Sequence, residues 1–73
     1  MKVRGVVVDF DERRGDGVLK SDAGEELYFH CLEIANGTRV IPVGTRVRAR
    51  RGVGRQGHDE ARHLLDDDVE ALT

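Results

Sequence analysis

The chain has 73 residues and a mass of 8.1 kDa. That is room for one domain, and it excludes a dinucleotide-binding unit with a substrate domain, a TIM barrel or a kinase. The net charge of −2 gives no global attraction to nucleic acid. The single cysteine, Cys31, excludes an internal disulfide and any cysteine-based zinc framework within the chain. The opening Met1-Lys2-Val3-Arg4 lacks the apolar core of a signal peptide, and no window approaches the roughly 18 apolar residues of a membrane span. The expectation is a cytoplasmic protein without a membrane partner.

Valines dominate the apolar content, and branched side chains favour strands. Taken in order, residues 3 to 10 (Val-Arg-Gly-Val-Val-Val-Asp-Phe) form the first predicted strand. Asp11-Glu12-Arg13-Arg14-Gly15 is a charged turn, and Asp16 to Ser21 the second strand. The turn Ser21-Asp22-Ala23-Gly24 leads to the third, Glu26 to Cys31. A longer connection, from about Leu32 to Gly44, is punctuated by Asn36-Gly37 and Pro42. Thr45 to Arg50 alternates strictly, which sets Arg46, Arg48 and Arg50 on one face and Val47 and Ala49 on the other. A glycine-rich loop, Gly52 to Gly57, precedes a last strand near Ala61 to Leu65. Residues 1–65 are thus read as the folded unit and 66–73 as a short acidic tail.

Five short strands with no helical period leave two edges and a bare face if the sheet stays flat. Closing the sheet removes the edges and makes an interior. Three strands, a long connection and two more are the order of an OB-type barrel. The predicted fold is therefore all-β, a five-stranded antiparallel barrel of that type.

In the third strand Leu27 and Phe29 share the inward parity. Tyr28 and His30 then stand outward with Phe10, a compact aromatic patch able to stack on bases or on arginine planes. The bland alternative is a small barrel that simply exposes a few rings. In the first strand Val6, Val8 and Phe10 lie on one parity and Val7, Asp9 and Asp11 on the other.

Three local motifs resemble the cold-shock domain, a small bacterial single-strand nucleic-acid binder with an OB fold. Gly5-Val6-Val7-Val8-Asp9-Phe10-Asp11 matches its opening G-x-V-K-W-F-N. Arg14-Gly15-Asp16-Gly17-Val18-Leu19 matches K-G-F-G-F-I, and Leu27-Tyr28-Phe29-His30-Cys31 matches V-F-V-H-F. Ile34, Gly44 and Val47 fall where that family has an isoleucine, a glycine and a valine. The match spans roughly residues 3 to 65. The resemblance implies that Val7 is buried, leaving Val6 and Val8 outward. It also implies binding by base stacking on the first three strands, at roughly 1–3 kcal/mol per base. Here Asp9 stands in place of the tryptophan, Asp16 and Val18 in place of two phenylalanines, and Cys31 in place of another.

The other constellations are weaker. Arg46, Arg48 and Arg50 would attract phosphates without sequence preference, or would protect an edge strand by charge, paired with the acids of the tail. Gly52-Val53-Gly54-Arg55-Gln56-Gly57 spells G-x-G-x-x-G, the dinucleotide-binding pattern, but no βαβ unit surrounds it, so it reads as a loop with Arg55 at its tip. His58, Asp59 and His63 fit no common zinc spacing, and Cys31 has no base or orienting partner in the sequence. No cofactor, metal or enzymatic activity is expected.

The expected function is binding of single-stranded RNA or DNA, weakened by the missing rings. Phe10, Val18, Tyr28 and His30 would form the platform, and Arg14, Lys20 and Arg55 would contact the backbone. The rival expectation is an OB-type interaction or homodimerising module that has lost nucleic-acid binding, docking a protein or a second copy on Val6, Val8, Phe10 and Tyr28.

Overall fold

Alternation of apolar and polar residues closes the chain on itself. In a computed structural model, which describes residues 2–35, 37–54 and 59–67, five strands form one closed barrel. They are β1 (Lys2–Asp11), β2 (Asp16–Ser21), β3 (Glu26–His30), β4 (Arg46–Val53) and β5 (Asp59–Asp66). A 3₁₀ turn at Cys31–Glu33 follows β3. Around the barrel the order is β1, β2, β3, β5, β4 and back to β1. This is an OB-fold-like barrel.

Its pairing is mixed rather than purely antiparallel. β3 meets β5 in parallel, through Tyr28 opposite Glu60, and Ile34 bridges Leu64 in the same sense. The long connection after β3 makes this possible. A hairpin must return antiparallel, whereas residues 31 to 45 carry the chain across the barrel before β4 begins. β4 consequently lies between β1 and β5. It is not an edge strand, and its arginines are not there to guard an edge.

The inward residues fill the barrel. Val7, Leu19, Leu27 and Val47 are fully buried, and Phe29, Ile34, Ala49, Ala61 and Leu64 nearly so. Each buried aliphatic side chain contributes roughly 1.5–3 kcal/mol relative to exposure. Cys31 is a free, buried thiol at the barrel wall. It opens the 3₁₀ turn rather than ending β3, because His30 caps that turn with a side-chain nitrogen that accepts from the Leu32 amide at 3.2 Å.

One irregularity decides which side chains reach solvent. Val7 faces Leu19, but the next β1 residue to face β2 is Asp9, opposite Val18, so Val8 is the extra residue of a bulge. Past that point the parity of β1 is inverted. Asp9 and Asp11 join the outer rows, and Phe10 falls into the row of Gly17 and Phe29.

Candidate functional site

The outer face of β1, β2 and β3 carries most of the residues singled out from sequence. Cross-strand register arranges them in three rows: Val6, Lys20 and Glu26; then Asp9, Val18 and Tyr28; then Asp11, Asp16 and His30. Tyr28 is 56% exposed at the centre. His30 is also exposed, but the hydrogen bond from Leu32 ties its Nδ1 to the following turn.

Phe10 does not stand outward with these two rings. The Val8 bulge turns it toward the barrel end, where it is half-buried and stacks on Phe29 with ring centroids 6.1 Å apart and planes 15° apart. Gly17 lies between them in the pairing, and a Cβ there would come within 2.8 Å of the Phe29 ring. Glycine is thus needed for the two rings to close over the β2 backbone. The expected cluster of three outward rings thus becomes one exposed phenol, one tethered imidazole and one half-buried phenyl. The apolar patch Val6, Val8, Phe10 and Tyr28 is broken up for the same reason. Val8, 40% exposed, lies on the bulge, and Asp9 comes between it and Phe10.

Phe10, Val18 and Tyr28 do share an open groove of about 710 Å³ at the β1–β2 turn. Its charged lining is Asp9, Asp11, Glu12 and Asp16 against Arg13 and Arg14. The turn is built by Asp11, whose Oδ1 accepts from the Arg13 and Arg14 amides at 2.9 and 3.1 Å while its carbonyl accepts from Gly15 at 2.8 Å. Arg14 is taken up by Asp16 at 3.1 Å. That side-chain hydrogen bond, and then the Asp16 charge, push the guanidinium pKa above its ordinary value. Lys20 is exposed two residues along β2 from Val18, opposite Glu26. Arg55 and His58 lie outside the described residues.

No protein-family model matches this chain, and no curated protein is significantly similar to it.

A second surface was only half legible. β4 does present Arg46, Arg48 and Arg50 opposite to buried Val47 and Ala49. Their fates differ. Arg46 pairs with Asp22 at 3.4 Å, and Arg48 with Asp67 at 3.6 Å. Arg51, next along, pairs with Glu25 and with Asp59. Arg50 makes no ion pair among the described residues. It lines a groove of about 420 Å³ with Lys2, Arg4, Arg48 and His63. Sequence reading passed over Lys2 and Arg4. Their alternation with Val3 was a usable signal, but the pairing of β1 with β4 joins residues nearly fifty positions apart in the chain. Among the described residues no three of His, Cys, Asp and Glu converge as metal ligands.

Proposed function

We propose that this protein binds single-stranded nucleic acid on the outer face of β1–β3, in the manner of the cold-shock barrels that it resembles. The observation that carries the proposal is the exposed Tyr28 ring beside the Phe10–Val18 groove, on a strand order of the kind single-strand binders use. A base laid on Tyr28 would lie beside Val18 on the neighbouring strand, with the half-buried Phe10 further on in the same groove. Lys20 and Arg13 are the nearby cations that carry no ion pair among the described residues. Asp9, Asp11 and Asp16 repel phosphate at the same place, so binding is weak, and the attraction that Lys20 and Arg13 supply is lost as salt rises.

Titration of the protein with oligothymidylate and with short RNA at low salt tests the reading. Tyr28→Ala, at an exposed position, removes one stacking partner and should lower affinity by about 1–3 kcal/mol, roughly 5- to 150-fold. Unchanged affinity in that variant, or no binding by the folded parent protein, refutes it.

One observation favours the second reading, an interaction module. The bulge places Asp9 and Asp11 on the outer surface, so this face repels polyanions and suits a basic or uncharged protein partner. Sedimentation across a concentration series separates self-association from the monomer that the nucleic-acid reading requires.

A further inference from the structure

The groove on the opposite side of β1 has a chemistry that the β1–β3 face does not. Antiparallel pairing sets Lys2 directly across from Arg50, and Arg50 across from Arg62. Two residues further along β1, Arg4 faces Arg48. Like charges directly opposite on neighbouring strands are destabilising. Here two successive rows are built that way, in a chain whose net charge is −2.

Ion pairing relieves this only in part, at Arg48 and Arg62. Among the described residues, Arg14, Arg46, Arg48, Arg51 and Arg62 have carboxylate partners. Lys2, Arg4 and Arg50 have none, and all three line the same groove. Among the described residues no carboxylate lines it with them. The remaining wall includes His63, the one non-glycine residue with a positive φ, 56°, among those described. The β4–β5 register slips opposite it, between Arg48 and Arg50, so a bulge brings the imidazole to the groove. Left-handed backbone is uncommon for non-glycine residues and is held here by the His63 amide donating to the Glu33 carboxylate at 3.1 Å.

We propose that this β1–β4–β5 groove is a binding site for the phosphodiester backbone of a nucleic-acid strand. Anionic oxygens between the opposed cations would remove the repulsion within each row. Successive rows repeat every two residues, about 6.8 Å along the strand, which suits a ligand with regularly spaced charges better than a single compact anion. Among the described residues no Phe or Tyr lines the groove and His63 is its one ring, so it would read charge far more than sequence. Tyr28, on another face, has no part in it.

An abasic phosphodiester strand tests it, because that ligand has nothing to stack. The folded parent protein should bind it at low salt, and Tyr28→Ala should bind it equally well. Arg4→Ala with Arg50→Ala should weaken it about tenfold or more and reduce the slope of log affinity against log salt by about 1.4, roughly 0.7 for each phosphate that is no longer neutralised. Both positions are exposed, so the double variant should melt no lower than the parent, and a melting curve shows that it is folded. Inorganic tripolyphosphate is the comparison ligand. No binding of the abasic strand by the parent, an unchanged slope in the double variant, or binding of tripolyphosphate alone would each overturn the proposal. A fall of oligothymidylate affinity in Tyr28→Ala to the level of the abasic strand, with abasic binding itself unchanged, separates this site from the stacking face.

Discussion

Two outer surfaces of one barrel share β1 and differ in sign. Beyond the Val8 bulge β1 offers Asp9 and Asp11, and with Asp16 they surround Tyr28. Before the bulge it offers Lys2 and Arg4 to the arginines of β4. The first face has the ring but surrounds it with carboxylates. The second has the cations and an imidazole but, among the described residues, no phenol or phenyl ring. In a full single-strand binder stacking and phosphate contact act on the same few nucleotides. Here the exposed phenol and the groove's unpaired cations are divided between faces, and a single strand bound as proposed would have to pass around β1 to use both.

The largest effect expected comes from attacking the support of the first face alone. Gly17→Ala drives a methyl group against the Phe29 ring and against the Asp9 carbonyl. Overpacking of this kind costs about 1–3 kcal/mol, and each kcal/mol lowers the melting temperature of so small a domain by about 4–8 °C. Thermal melting checks the loss. If the two faces are separable, the residual folded protein still binds an abasic strand with the affinity of the parent.

A smaller effect, of opposite direction, comes from repairing the first face. Asp9 stands where the cold-shock pattern has tryptophan, in the row of Val18 and Tyr28. Asp9→Trp removes a repelling charge and adds a stacking surface. Oligothymidylate affinity should rise by about 1 kcal/mol, the lower end of the range for one base, because Tyr28 already occupies the neighbouring place. A fluorescence titration in which affinity does not rise would show that this face is not where bases bind.

How far these residues were legible before the structure follows from the range of the interactions that place them. β2 and β3 obey period two and are joined by a tight turn, so buried Leu27 and Phe29 and exposed Tyr28 followed from alternation alone. The barrel followed from strand count and order. Phe10 did not follow, because alternation in β1 holds only if no residue is inserted, and three consecutive valines at 6 to 8 give no sign of which one is extra. The parallel contact of β3 with β5 was hidden for a different reason. It depends on where the connection at 31 to 45 delivers the chain, and local composition does not encode that. The basic groove needed the same non-local register. Arg50 was visible as part of a ladder, but only the pairing with Lys2 separates it from Arg46 and Arg48, which meet carboxylates.

That difference within one strand supplies the smallest expected effect. Arg46 lies on the same side of β4 as Arg50 and four residues away, but it reaches Asp22 across the barrel surface and does not line the groove. Both partners of that pair are about half exposed. Arg46→Ala should therefore change stability by less than about 0.5 kcal/mol, under about 4 °C in melting temperature. It should leave both the affinity for an abasic strand and its salt slope where the parent has them. Arg50→Ala, an equal loss of charge on the same strand, should lower both. Equal losses from the two substitutions would mean that the strand acts through its total charge, and the distinction between paired and unpaired arginines would then have no bearing on what β4 binds.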